Sequence, residues 1–240
     1  MTTTPLDRVP PWALASIAML SVQLGAAISI GLFDDIGVAG TAWLRITLGA
    51  IGLVLIARPR YWQWSWRELR APMLLGLVSA GMTLAFLAAI DLLPLGTAVA
   101  IEFLGPLTVA ALHSRNRAAL AWPGLALVGV VLLTEPWQGE VSVLGIAYAA
   151  IAAVGWGLYI VITQHVGDRF TGVDGLAISL PVAALVTAVV GLPQAWGHLT
   201  VEVLLIGVVA AVLLPIIPWI FELYALRRLT KNAFGTLMAL

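Results

Sequence analysis

Leu92 to Ala110 reads LLPLGTAVAIEFLGPLTVA, an almost wholly apolar or small-residue run with one carboxylate, Glu102, in its middle. A hydrocarbon core of roughly 30 Å is crossed by about 20 residues of helix at ~1.5 Å each, and this stretch meets that length. Its reading decides the fold: a membrane-spanning helix that carries an ionisable group at mid-depth. Such groups are costly in lipid and usually face a protein interior, where they have a partner or a task.

The composition carries the reading outward from that helix. Of 240 residues, 61% are hydrophobic and 10% charged, with a mean hydropathy of +1.03. Soluble domains hold about 25% charged residues, so this chain belongs in a bilayer. The formal net charge is +0, and no basic stripe offers itself to a phosphate backbone, which argues against nucleic acid as a partner. There is no cysteine, hence no disulfide framework, thiolate nucleophile or Cys-based metal site. His113, His165 and His198 lack metal-ligand spacing, and no G-x-S-x-G, H-E-x-x-H or P-loop occurs. The chain therefore reads as neither an enzyme nor a cofactor- or metal-binding protein. Its expected partners are the lipid bilayer and a small-molecule substrate; the oligomeric state is not specified.

Spans of sufficient length run over 12–33, 36–57, 71–91, 94–113, 119–136, 142–165, 173–193 and 202–226, and a ninth opens near Asn232. The first is too long for a signal-peptide core and lacks its flanks. All are expected to be helices, because lipid offers no partner to an open sheet edge. The fold class is thus an all-α polytopic membrane protein.

The loops set an orientation. One set carries Arg8, then Arg58, Arg60, Arg67 and Arg70, then Arg115 and Arg117, then Arg169, then Arg227, Arg228 and Lys231. The other carries Asp34, Asp35, Asp91, Glu135, Glu140 and Glu202 with no Lys or Arg, and of 12 Lys and Arg only Arg45 falls outside the first set. The positive-inside rule then places the N-terminus in the cytoplasm. Tyr61 to Leu69, YWQWSWREL, is read as an aromatic belt at the cytoplasmic interface. The 23 glycines suit close helix packing in lipid.

Shifting the chain by 136 residues sets Phe86–Leu104 against Glu222–Leu240, so span three matches span eight with opposite topology. That pattern marks inverted repeats with a substrate site near the midplane. The expected division is residues 1–140 as a first five-helix repeat and 141–240 as an incomplete second one. On this reading the site of the 240-residue chain lacks one wall, so residues 1–240 are expected to insert but not to transport, whereas a chain completed to ten spans should transport.

VQLGAAISIGLF, WLRITLGAIGLVLIARPR, LPLGTAVAIEFLGPLTVAALHSRNR and the pair FELYALRRL and KNAFGTLMAL resemble the threonine/homoserine exporter branch of the drug/metabolite transporter superfamily, the EamA-type carriers. The resemblance runs over nearly the whole chain in order, and AVAIEFLGP and FGTLMAL are its most specific elements. It implies a ten-helix bacterial inner-membrane carrier with two inverted five-helix repeats and a central cavity. It also implies a continuation past Leu240 with a Glu-Pro and a tenth helix.

Six residues are candidates for the substrate or proton pathway: Glu102, Arg45, Gln23, Trp156, Tyr159 and Glu222. Arg45 and Glu102 lie at similar depth and are able to pair, which leaves both a structural and a proton- or substrate-handling role open. Glu222 stands near Arg227 and Arg228, so a carboxylate snorkelling to the interface competes with a functional one; the resemblance places a matching Glu before its Ala-Leu pair. Gln23 suits a hydrogen bond to substrate, and Trp156 and Tyr159 an apolar wall with polar tips, though each is also a common packing residue. Pro106, Pro215 and Pro218 are expected to bend their helices. The function expected is secondary export of small metabolites, amino acids such as threonine or homoserine foremost, by alternating access and with proton coupling. The rivals are export of aromatic amino acids, amines or other drug-like compounds, and a non-transporting membrane scaffold.

The orientation is checked by single cysteines placed in this cysteine-free chain. Replacements of Asp35 and Thr200 should react with an impermeant thiol reagent in intact cells, and a replacement of Arg67 should not. Labelling at 67 reverses the topology.

Overall fold

The computed structural model describes residues 9–113, 121–134, 142–170, 173–226 and 228–229. Among them there is no strand, and the elements are α1 (Pro11–Ile30), α2 (Phe33–Ala57), a 3-10 turn (Tyr61–Gln63), α3 (Trp66–Ile90), α4 (Leu95–Glu102), α5 (Leu104–Leu112), α6 (Ala121–Thr134), α7 (Val143–Arg169), α8 (Asp174–Ala195), α9 (Val201–Ala211), a π-helical segment (Val212–Ile216) and α10 (Ile217–Leu226). Seven of the described helical stretches are long and apolar enough to cross a membrane, α4–α5 and α9–α10 each counting as one. The expected span 119–136 is represented by α6, whose flanks fall outside the described residues. Also outside them lie Arg8, Arg115, Arg117, Glu135, Glu140, Arg227, Lys231 and the ninth span from Asn232 with its FGTLMAL element.

Local chemistry explains where helices begin and end. Pro11 opens α1, where a missing N–H costs nothing. Asp34 and Asp35 occupy the first turn of α2, at the positive end of its dipole. The same helix stops at Arg58, held left-handed at φ 48°, and Pro59 bars its continuation. Glu68 caps the start of α3 from one side, its Oε2 accepting from both the Ser65 amide and the Ser65 hydroxyl at 2.7 Å. In the strap between α2 and α3, the expected aromatic belt divides in two. Trp62 is 81% exposed, whereas Trp64 packs on Phe170 with ring centroids 5.3 Å apart.

The helices gather into two compact units. The first lies within Met1–Ala80 and Ile162–Leu229, and the second within Gly81–Val161; α3 and α7 each contribute to both. In the first, α2 runs along α8 and α1 along α10. Gly40 approaches Ala195, and Gly191 meets Trp43 and the Ala39 carbonyl, so neither backbone surface leaves room for a larger side chain. Leu32, Ile36, Leu44, Ala195 and Val203 are buried together where α2, α8 and α9 meet. At Gly37 the chain takes φ 69°, a conformation that favours glycine, and bends α2. The bend frees the Gly40 N–H, which donates to Gln194 Oε1 at 2.9 Å.

The second unit is built on Ala89, Leu93, Ala98, Ile101 and Ala149, from the end of α3, α4 and the start of α7. Gly145 accommodates Leu93, and Gly155 accommodates Met82. Gly105 of α5 lies so close to α7 that any Cβ would fall on the Ala153 carbonyl. In lipid, where burial of apolar surface drives little association, such close backbone approach supplies the packing energy. Leu20, Leu55, Val189 and Leu205 point outward, as a lipid-facing surface requires.

Gly105→Ala should therefore destabilise the second unit by about 1–3 kcal/mol, since a backbone carbonyl cannot yield as a side chain can. Gly81→Ala, with nothing near its new methyl, should be neutral or stabilising by about 0.5–1 kcal/mol. Denaturant titration of the detergent-solubilised protein compares them, and equal effects would refute the packing argument.

Candidate functional site

Both interrupted spans are interrupted by proline, and each interruption has an ionisable residue beside it. Glu102 is the last residue of α4. Pro106, four positions on, has no N–H to give to the Glu102 carbonyl, so one helical hydrogen bond is lost between α4 and α5 although Phe103 keeps a right-handed helical backbone. The carboxylate itself is half-buried. Its neighbour Phe103 stacks on Trp156 of α7, with centroids 5.1 Å apart and planes at 46°. The contact fixes the junction between α4 and α5 against α7, so the turn that carries Glu102 is held by an aromatic pair and by the close approach of Gly105 to Ala153. Tyr159, one turn beyond Trp156, is only 2% exposed and belongs to the packed interior.

In the first unit the break lies between α9 and α10. Leu214 leaves helical conformation, at φ −158° and ψ 106°, and the Ile217 N–H donates to the Val212 carbonyl in a widened turn. The Leu213 carbonyl then has no helical donor in reach, because the next position, Pro218, lacks one. Ser21 of α1 supplies it: its hydroxyl donates to Leu213 O at 2.6 Å. One turn along α1, Gly25 receives the broken segment, with room for Leu214 only because no Cβ is present: a Cβ there would stand 2.8 Å from that of Leu214. On α2, Gly49 and Gly52 do the same for Pro215 and Ile216, where added Cβ atoms would stand 2.9 and 3.0 Å away.

One turn further again stands Arg45. Its Nη1 donates to Ser29 Oγ at 3.0 Å, and Ser29 in turn donates to the Gly25 carbonyl. Arg45 Nε is buried without a hydrogen-bond partner. Glu222, on α10, is 5% exposed and is enclosed with Leu223 and Tyr224 rather than extended to an interface. Gln23 is exposed on α1. Arg45, Gln23 and Glu222 thus belong to the first unit, and Glu102, Trp156 and Tyr159 to the second. The sequence reading did not single out Ser21, Ser29 or Gln194. A signal for the first two existed: Ser21, Gly25 and Ser29 recur at four-residue intervals and so share one face of α1.

The chain is 35% identical over 242 residues to the threonine/homoserine exporter RhtA of Escherichia coli strain K12, an alignment covering 98% of this chain and 81% of that protein. It is likewise 35% identical over 240 residues to the exporter of the same name from Salmonella typhimurium strain LT2, covering 97% and 81%. It belongs to the threonine/homoserine exporter family of the drug/metabolite transporter superfamily. No family model matches the chain. As a member of that family it is an exporter-type transporter and not an enzyme, a multi-pass protein of the bacterial inner membrane. Among the described residues no cluster of His, Asp and Glu is arranged to hold a metal ion.

The Ser21 bond is testable on its own. Ser21→Ala leaves a buried carbonyl without a donor and should lower stability by about 1–3 kcal/mol, measured by denaturant titration in detergent. A change of only a few tenths would mean that the break is satisfied in another way.

Proposed function

We propose that this transporter exports small amino acids, threonine and homoserine foremost, by alternating access coupled to protons. The observation that carries the substrate reading is kinship along nearly the whole chain with exporters named for those two compounds. Kinship alone does not choose a driving force. The absence of a nucleotide-binding motif leaves an ion or solute gradient, and two carboxylates inside spans favour protons. Glu102 is the better placed of the two: half-buried, it stands at a helix interruption, where small changes in the junction alter its access to water. In this reading Glu102 exchanges a proton or holds the substrate's ammonium group, Glu222 is a second acidic position, and Gln23 and Trp156 are pathway side chains of their own units, while Tyr159 supports the second unit from its packed interior. The N-terminus lies in the cytoplasm, and residues 1–140 and 141–240 are the two inverted repeats.

Efflux of labelled threonine and homoserine from cells expressing a full-length, ten-span version tests the reading. Faster loss than from vector-only cells is expected, and equal retention would refute the substrate assignment. Glu102→Gln keeps shape and hydrogen bonding but cannot ionise. It should insert normally while losing most gradient-driven efflux, about 10²-fold or more if it carries the coupled proton. Normal efflux with normal pH dependence in that variant would reduce Glu102 to a structural role.

A further inference from the structure

We propose that the Arg45 guanidinium binds the carboxylate of the transported amino acid, with Ser29 holding it in position. The inference rests on the reading that the chain carries amino acids and assigns a group on the substrate to a group on the protein.

Arg45 is the only one of the 12 Lys and Arg placed away from the ends of the spans. A guanidinium stays charged in any protein setting and carries several N–H donors in a planar fork. Within its unit, the hydrogen bond that Arg45 makes is to a neutral hydroxyl, Ser29 Oγ, at 3.0 Å. That hydroxyl passes its own hydrogen to the Gly25 carbonyl, so it fixes one arm of the fork without neutralising it. The Nε, which belongs to the edge that grips carboxylates in paired fashion, is buried with nothing to bond. A charge held within a span, oriented by one hydrogen bond and left with an unused buried donor, is arranged for an anion that comes and goes.

Position and charge narrow that anion. Along α2, Arg45 stands one turn from Gly49, which receives Pro215 of the interrupted span; along α1, Ser29 stands one turn from Gly25, which receives Leu214. The two polar residues therefore meet at the same level beside the break in α9–α10, where transporters place substrate sites. A lone cation matches a single negative charge, and the planar fork matches the two oxygens of a carboxylate. A phosphate dianion would require more positive charge than this site holds.

The experiment compares L-threonine with L-threoninol, in which the carboxylate is reduced to an alcohol and the ammonium and hydroxyl are kept. Binding to the purified full chain in detergent is followed by ligand-dependent thermal stabilisation. Wild type should bind threonine about tenfold or more tightly than threoninol. Arg45→Gln should bring the two affinities together, whereas Arg45→Lys should keep part of the preference through charge alone. A merely structural Arg45 would lower the melting temperature and leave the threonine-to-threoninol ratio untouched, and that result would overturn the proposal. Should Arg45→Gln fail to fold, the wild-type ratio still decides, because equal binding of the two ligands overturns the assignment by itself. Threonine bound and exported without preference over threoninol refutes the carboxylate assignment alone. Neither ligand bound, with no threonine efflux, refutes the proposed function as well.

Discussion

A carbonyl that loses its helical donor inside a membrane span has no water to turn to, and at Leu213 the replacement is the hydroxyl of Ser21. Much of the first unit follows from that requirement. A donor on α1 reaches a carbonyl of the α9–α10 span only if the two backbones nearly touch, which is why Gly25 lies opposite Leu213 and Leu214. The opposite flank of the broken segment needs the same closeness, and Gly49 and Gly52 of α2 provide it. Three helices are thereby drawn around one interruption. An unsatisfied peptide group in hydrocarbon would cost several kcal/mol, roughly the margin on which a whole domain stands.

The two interrupted spans use the same device differently. Pro106 removes one hydrogen bond from the α4–α5 span after Glu102, and the junction is held by packing, Phe103 against Trp156 and Gly105 against Ala153. In the α9–α10 span the repair is a hydrogen bond from a neighbouring helix. Both leave an ionisable side chain beside a lost helical hydrogen bond, and at Leu214 the backbone itself is irregular, which membrane proteins tolerate only where it is enclosed by protein or lines a cavity. A regular helix would present Glu102 or approach Arg45 with a rigid cylinder; an interrupted one has a junction that can move. For an exporter, which must expose its cargo to one side and then the other, the junctions are the natural places for change.

Small residues give the units their closeness. Gly37 is a special case, since the bend there frees the Gly40 N–H and creates the need that Gln194 of α8 meets. Elsewhere glycine and alanine simply let helices approach, and the exteriors carry the leucines and valines that soluble proteins would bury. Bulky apolar residues therefore occupy both surfaces: Leu32, Ile36 and Leu53 fill the interior, Leu20, Leu55 and Leu205 face outward, and small residues stand where two backbones come closest.

Seven of the eight spans expected through residue 226, and the proline positions that interrupt two of them, were legible from the chain, because lipid forces each crossing to carry its own apolar length and its own hydrogen bonds. Glu102, Arg45 and Glu222 were legible as exceptions for the same reason: a charge in an apolar run stands out without any knowledge of its neighbours. What the sequence could not supply was partnership. Glu222, readable as an interfacial carboxylate from its nearness to Arg227 and Arg228, is enclosed on α10. Tyr159, a candidate wall residue, is packed inside. Ser29 is unremarkable until α1 and α2 lie side by side, and Arg45 gains its orienting bond only then. Hydropathy acts along one helix and is written locally, whereas a hydrogen bond between helices depends on which faces meet, and that is decided only when the whole bundle packs.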